Sequence, residues 1–391
     1  MKIEQVSIGG WFQRTTLHLS EIYEFCKDGS SSLQLDKNKL KELQKSLDIQ
    51  DIDWISGDLD KIVFSANNGI ETNIFEDGLI VINIKGKKSI EELIEDVTSY
   101  YEKKLSPGLS YIFSLGAPVP KELANIKIIY PYFILLDNAS GEDISSTLNL
   151  FKEERHVEVK QPSFEIYRGK QIYIINNQGE AVSTLQRFIE EQVFIREFKS
   201  QLHRYLNLHR IIWEKIAEVK ERGKIKGKQV GELKDKIEGY GKTINLIEAR
   251  INQMDTYIST REDIVKKDKD LEKLVNVLQF KYETLSDTLD YIKYVWAMTK
   301  NYVGSALSLF SDIQAKSTET SVGNLTIVTS MGVGATLIGL FSSQPPEFTW
   351  QSLGYVFLLA FIGYIADKLV KYFSVNRMYQ ISDVEADKNI S

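Results

Sequence analysis

Basic side chains occupy alternate positions in a glycine-containing stretch near the middle of the chain. The four are Arg222, Lys224, Lys226 and Lys228. Cationic groups at this spacing attract anions, and lysines beside glycines also occur in phosphate-binding loops. The glycine spacing departs from that of such loops, and no predicted strand precedes it. We favour a solvated basic connection between two helices; the alternative is an anion- or nucleotide-binding site built from these four residues.

The sequence does not indicate chemistry that needs clustered ligands or an activated nucleophile. His203 and His209 stand six residues apart, about 240° around a helix, so they do not converge on one metal ion. Cys26 is the single cysteine, which excludes an intramolecular disulfide and favours an inert thiol over a reactive one. We therefore expect no enzyme, no metal site and no certain cofactor.

Composition places the chain among ordinary globular proteins of two or three domains. It has 391 residues, of which 43% are hydrophobic and 26% charged, with a formal net charge of −6. The acidic balance argues against a nucleic-acid-binding protein, which normally carries a basic excess. The N-terminal residues lack the apolar core of a signal peptide, and the lone cysteine suits a cytosolic location for the bulk of the chain.

Apolar periodicity divides the chain into four parts. Residues 1–180 alternate β-branched runs with a capped helix, which predicts an α+β cytoplasmic domain. Residues 181–319 predict a helical stalk of antiparallel helices, residues 320–373 a transmembrane hairpin, and residues 374–391 a cytoplasmic tail. The predicted strands are Ile62–Phe64, Leu79–Ile84, Ser110–Phe113 and Ile126–Leu136. A β-hairpin is predicted from Phe164–Tyr167 and Gln171–Ile175.

Four helices are expected before the transmembrane hairpin. Ser89 and Glu92 form a capping-box pattern at the start of a helix over 89–104. Further helices are predicted over 188–222, up to about 259, and from about 261 onward, the last with Ser259 or Thr260 as its cap. The last carries a heptad seam, formed by Leu271, Leu274, Leu278, Leu285, Leu289, Ile292, Trp296, Thr299, Val303, Ala306, Phe310 and Ile313. Such a seam requires a partner, either the preceding helix folded back or the same helix in other subunits.

A stretch of 25 consecutive uncharged residues, 320–344, is long enough to cross a hydrocarbon core of about 30 Å as a helix. Two prolines end it, and a second apolar segment follows, so spans over about 322–343 and 352–373 are predicted. The loop between them has no Lys or Arg, whereas basic residues flank the other ends. The expected location is the cell membrane, with two spans and both termini cytoplasmic.

At these residues the sequence resembles the CorA family of two-transmembrane divalent-cation channels. The likeness covers the general plan of the chain and is sharpest at Leu325-Thr326-Ile327-Val328, Pro346-Glu347-Phe348-Thr349-Trp350 and Gly354-Tyr355. The family signature Gly-Met-Asn is absent, because its positions fall on Ser343, Gln344 and Pro345. Magnesium selectivity is therefore not carried over.

The resemblance implies a homopentamer whose first span lines a pore. The residues it assigns to the pore are Glu319, Val322, Leu325, Thr329, Val333, Thr336 and Ser343, and those of the outer loop are Gln344, Pro345 and Glu347. Glu319 and Glu347 match an inner polar ring and an acidic loop position, which would attract cations. The heptad face through Thr329 and Thr336 is equally typical of a wet pore and of close helix packing.

The first functional hypothesis is a homopentameric CorA-like ion channel or transporter, cation-permeable with altered selectivity and gated through the stalk. Magnesium or another divalent cation is its transported or regulatory ion. The alternative is a membrane effector of a phage-defence system, gated by a nucleotide second messenger, that depolarises the membrane. A third is a membrane-anchored coiled-coil scaffold. Expected partners are the lipid bilayer, further copies of the chain and a small nucleotide, but not nucleic acid.

Overall fold

A computed structural model describes residues 2–12, 18–116, 131–220, 224–341 and 378–380, with single positions between 350 and 376. The chain divides into two compact units, each assembled from two separate stretches of sequence. Unit 1 comprises Met1–Leu206 and Ile247–Lys293, and unit 2 comprises Asn207–Leu246 and Tyr294–Ser391.

The described residues form eleven strands and eight α-helices. The strands are β1 (Lys2–Trp11), β2 (Ile49–Ile55), β3 (Lys61–Ala66), β4 (Ile70–Phe75), β5 (Leu79–Ile84), β6 (Tyr132–Asp137), β7 (Val157–Gln161), β8 (Phe164–Arg168), β9 (Ile172–Asn177), β10 (Lys224–Lys226) and β11 (Met378–Gln380). The helices are α1 (Leu19–Asp28), α2 (Lys37–Ser46), α3 (Ile90–Tyr100), α4 (Ser106–Gly116), α5 (Gly141–Leu150), α6 (Val182–Lys220), α7 (Gly227–Lys267) and α8 (Val275–Phe341).

Unit 1 is built on a nine-stranded mixed sheet in the order β2-β3-β4-β5-β1-β6-β9-β8-β7. Neighbouring strands are antiparallel except β6 and β9, which run parallel with Ile134 opposite Ile174. The expected α+β domain is confirmed. The predicted hairpin is confirmed as well, with β8 and β9 antiparallel on either side of Gly169.

One face of the sheet packs against α1–α5. Val6 and Ile8 of β1 lie in a continuous core with Phe25 and Leu93, all at 1% exposure or less. Alternation along β1 sends these side chains to one face and their neighbours to the other. Cys26 is fully buried in the same core, and burial raises the pKa of its thiol to about 12, which opposes formation of the reactive thiolate.

The opposite face packs against α6 and the parts of α7 and α8 that belong to unit 1. Gly9 lets α6 pack closely on β1, because a Cβ at this residue would lie 2.5 Å from Val193 Cγ1 of α6 and 2.6 Å from the Ile80 carbonyl oxygen. Trp11 at the end of β1 lies 5.1 Å, centroid to centroid, from Phe198 and 5.6 Å from Tyr257. The sheet is therefore covered on both faces.

Long helices follow the sheet, and α7 pairs with α8 in an antiparallel manner. In unit 1 Lys293 of α8 pairs with Asp255 of α7, and in unit 2 Lys234 Nζ lies 3.2 Å from Gln314 Oε1. Every residue of the predicted seam is buried. Of the two partners that the seam left open, the preceding helix is present, with Val303 beside Gly241 of α7, and α6 also contributes, with Trp296 beside His209.

Several local predictions need correction. Ser110–Phe113 lies in α4, because a π-helical turn over Tyr101–Leu105 continues α3 directly into that helix. The predicted helix boundary at Ser259 is wrong: the Ser259 hydroxyl donates to the Asp255 carbonyl oxygen inside α7, which runs on to Lys267. Residues 126–130 of a predicted strand lie outside the described residues.

The predicted transmembrane hairpin over 322–343 and 352–373 is wrong. In the part of the chain that the structure describes, no helix has both the length and the apolar character needed to cross a membrane. The prediction rested on the run of uncharged residues over 320–344, which also contains four Thr, four Ser and four Gly. The predictions of a multi-pass membrane location and of a membrane ion channel depended on the transmembrane hairpin, so the structure does not support them either.

Substitution of Gly9 tests the close packing of α6 on the sheet. Gly9→Ala places a methyl group against Val193 and the Ile80 carbonyl group, and we expect a loss of about 1–3 kcal/mol in the free energy of unfolding. Denaturant titration of the full chain measures this value. Gly239→Ala in α7 is the matched control, because its new Cβ meets open space and removing a helical glycine should stabilise by about 0.5–1 kcal/mol. Equal effects of the two variants would contradict the packing described.

Candidate functional site

A cavity of about 420 Å³ lies in unit 1 where β7, β8 and β9 meet α6 and α8. We call it the basic pocket. Its charged residues are the four cations Arg168, Arg196, Lys199 and Lys281 and the carboxylate of Glu158. One acid among four bases leaves a positive excess in a partly enclosed space, where charge interactions are screened less than at an open surface.

Lys281 anchors the floor of the basic pocket. Its ammonium group donates to Glu158 Oε1 at 2.7 Å and to Gln192 Oε1 at 2.6 Å, which ties α8 to β7 and to α6. Burial lowers the pKa of Lys281, and the neighbouring Glu158 opposes that shift. Glu158 Oε2 and Gln192 Nε2 find no hydrogen-bond partner among the described atoms. The floor of the basic pocket therefore retains hydrogen-bonding capacity that the described protein atoms do not use.

Arg196 is a cation of the pocket that interacts electrostatically with the adjacent Glu197. It lies on α6 and is partly buried, and burial lowers the pKa of its guanidinium group. Neither Arg196 nor Lys199, one turn further along, forms an ion pair within the described part of the chain. Arg168 at the end of β8 shares Glu158, with 3.6 Å between Nη1 and Oε1. A bound anion would supply the missing counter-charge.

Aromatic rings form the apolar wall. Tyr173 of β9 is buried and stacks on Phe133 with 5.1 Å between centroids. Phe280 of α8 is 69% exposed, unusual for so large an apolar side chain. Phosphate-binding cations beside an exposed aromatic face are the combination that binds nucleotides and nucleobases by charge and stacking.

A buried ionic network lies next to this pocket along the helices. Arg261 of α7 is 2% exposed, donates from Nε and Nη2 to the two oxygens of Asp77, and donates from Nη1 to Glu191 at 2.9 Å. The Tyr282 hydroxyl donates to the second oxygen of Glu191. Burial alone would lower the pKa of Arg261, but the two carboxylates raise it above its ordinary value. The guanidinium group therefore remains charged.

The turn between β4 and β5 sets the position of Asp77. Gly78 has a φ of +91°, and a Cβ at this residue would lie 1.8 Å from the Phe12 carbonyl oxygen. The Trp11 indole Nε1 donates to the Asp77 carbonyl oxygen at 2.9 Å. The end of β1 thus holds the turn that presents Asp77 to Arg261.

The predicted basic connection is found on β10. Lys224 and Lys226 are exposed on either side of buried Ile225, and β10 pairs with β11 in unit 2. Arg222 and the Lys228 side chain lie outside the described residues. The structure thus places the two described lysines on the same exposed side of a short strand, and a ligand site there stays a prediction.

The residues assigned to a pore are described only in part. Thr329 and Val333 are exposed on α8, and the Thr329 hydroxyl lies 3.2 Å from the Thr326 carbonyl oxygen. The others belong either to helix positions whose side chains lie outside the described set or to undescribed residues. Those in α8 are Glu319, Val322, Leu325 and Thr336, and those beyond it are Ser343, Gln344, Pro345 and Glu347.

Sequence reasoning missed both the basic pocket and the Arg261 network. Their members come from positions more than a hundred residues apart, which no local pattern joins. One signal was available: four charged residues, Glu190, Glu191, Arg196 and Glu197, occur with Gln192 among the apolar residues of 188–198. Charged residues on the buried face of a helix require partners, and they mark places where a site can form.

No protein-family model and no curated protein matches the chain.

Removal of the Arg261 charge tests the buried network. Arg261→Met leaves Asp77 and Glu191 buried without a counter-charge, and we expect a loss of about 3–5 kcal/mol in the free energy of unfolding. Denaturant titration of the full chain provides the measurement. Arg210→Met, at an exposed pair with Glu214 on α6, should change stability by about 0.5 kcal/mol or less. A similar small loss for Arg261→Met would show that the network contributes little.

Glu197 gives the fold a specific pH dependence. Burial raises the pKa of this α6 carboxyl group from 4.5 to about 8. Between these values the folded chain holds a proton that the unfolded chain has released, so stability falls as pH rises from 4.5 to 8. Glu197→Gln should flatten this slope in unfolding experiments across the range. An unchanged slope in the variant would assign the pH dependence to other groups.

Proposed function

We propose that this chain is a ligand-binding sensor that takes a nucleotide-class anion in the basic pocket. The observation that carries the proposal is the partly buried Arg196, which forms no ion pair with a described residue, in a cavity with three further cations and one carboxylate. A phosphate group would occupy the space between Arg196, Lys199 and Arg168. The exposed ring of Phe280 would cover the base.

The placement of these residues suggests what binding would do. Arg196 and Lys199 belong to α6, Lys281 and Phe280 belong to α8, and both helices continue well beyond the pocket. A phosphate between the helices would neutralise their mutual repulsion and favour a closer approach. A sensor needs this kind of differential contact between its empty and occupied states.

This proposal keeps the ligand-binding part of the nucleotide-gated alternative and leaves out its membrane part. The CorA resemblance and the pentameric state stay predictions from the sequence. Enzymatic activity is not proposed, because the pocket offers cations and aromatic rings rather than a nucleophile with a positioned base.

Calorimetric titration of the full chain tests the proposal. The probes are ATP, AMP and GMP, with inorganic phosphate and adenosine as single-feature controls. We expect the nucleotides to bind more tightly than either control and to lose affinity as salt rises. Arg196→Gln should weaken nucleotide binding at least tenfold, since a hydrogen bond to a charged group contributes about 1.5–3 kcal/mol.

Two comparisons make the result specific. Arg210→Gln changes an exposed arginine of the same helix and should leave affinity unchanged. Phe280→Ala should weaken nucleotide binding while leaving phosphate binding as it was. Failure of all three nucleotides to bind, or equal affinity of the Arg196→Gln protein, would refute the proposal.

A further inference from the structure

A second cavity, of about 410 Å³, opens elsewhere in unit 1. It lies under the turn from β2 to β3 and against the first turns of α6 and the last turns of α7. Phe75, Ile264 and Leu271 contribute apolar walls. Its charged residues are separate from those of the basic pocket, so its chemistry can be considered independently.

Most charged groups around this cavity are already paired. Arg261 is occupied by Asp77 and Glu191, and Arg187 by Asp268. Arg261 also lies between aromatic rings, with its Cζ 5.2 Å from the Phe75 centroid. These pairs form a rigid polar wall with little remaining capacity for a ligand.

Glu190 is an exception. Its carboxyl group belongs to a residue only 8% exposed, has a hydrogen bond from Gln186, and forms no ion pair with any described residue. Burial raises the pKa of Glu190, and the positive charges of Lys61 and Arg261 oppose that shift. A buried carboxylate that forms no ion pair among the described residues is costly even with cations nearby, and a cationic ligand group in contact with it would offset the cost.

Lys61 supplies the opposite charge. It begins β3, lines the same cavity and holds its ammonium group 5.3 Å from the Phe75 ring centroid. No carboxylate among the described residues forms an ion pair with it. A ligand anion could therefore bind Lys61 without displacing an existing partner.

These charges exclude the simpler ligands. A metal ion is disfavoured, because the described residues contain no group of three or more His, Cys, Asp or Glu that could hold one, and Lys61 would repel it. A plain anion would face Glu190 and the exposed Asp58. An ammonium and a carboxylate on one molecule match both charges.

We propose that this cavity binds a small zwitterion of the amino-acid class, with its ammonium group at Glu190, its carboxylate at Lys61 and an apolar side chain against Ile264 and Leu271. Both polar contacts are charge-assisted hydrogen bonds in a partly buried site, where they contribute more than at the surface. The site is independent of the nucleotide proposal, because it shares no lining residue with the basic pocket.

The test begins with a thermal-shift screen of the full chain against the twenty standard amino acids, followed by calorimetry of those that stabilise it. We expect binding by aliphatic amino acids such as leucine. Isoamylamine, which lacks the carboxylate, and 4-methylpentanoate, which lacks the ammonium group, should each bind at least tenfold more weakly than leucine.

Variants assign the binding to this cavity. Glu190→Gln and Lys61→Gln should each reduce affinity for leucine at least tenfold, whereas Lys39→Gln, at an exposed lysine of α2, should not. No stabilisation by any amino acid, or unchanged affinity in Glu190→Gln, would overturn the proposal. Nucleotide binding measured on the same Glu190→Gln protein reports separately on the basic pocket, so the two proposals can fail independently.

Discussion

The contact of Arg261 with Asp77 and Glu191 is the constraint on which the arrangement of unit 1 depends. One guanidinium group joins the β4–β5 turn to α6 from a position on α7, and Tyr282 adds α8 through Glu191. Four elements are thus fixed to one buried charge. Hydrophobic packing alone tolerates sliding between helices, whereas directed bonds to a planar guanidinium group define register. The close contact between Gly9 and Val193 also fixes the position of α6 on the sheet.

Both cavities lie beside this network and take their shape from it. Glu191 and Gln192 are consecutive on α6, and Lys281 and Tyr282 are consecutive on α8. Glu191 and Tyr282 belong to the Arg261 network, whereas Gln192 and Lys281 belong to the floor of the basic pocket. The other side of the network forms part of the wall of the second cavity. Among the described residues, Arg196 and Glu190, which form no ion pair, lie in the two cavities beside this paired core.

Sequence analysis succeeded where structure depends on near neighbours. The capping box at Ser89 and Glu92, the β8–β9 hairpin and the seam from Leu285 to Ile313 each follow from residues within a few turns or one hairpin. It failed at Ser259, where a hydroxyl that often caps a helix instead donates inside one. It failed more seriously in predicting a transmembrane hairpin, since no helix of the described residues is long and apolar enough to cross a membrane. The basic pocket could not be predicted, since it joins residues from 158 to 285 through sheet topology alone.

The central position of β1 has a consequence for how the protein is made. This strand precedes both of its neighbours along the chain, yet it pairs on one side with β5 and on the other with β6, whose first residue is Tyr132. Once β5 has been synthesised, the nascent chain can complete a five-stranded antiparallel sheet whose β1 edge stays open for nearly fifty more residues. An unpaired edge is a template for pairing with another chain. Until β6 has been synthesised, the growing polypeptide is exposed to misassembly at the open edge of β1.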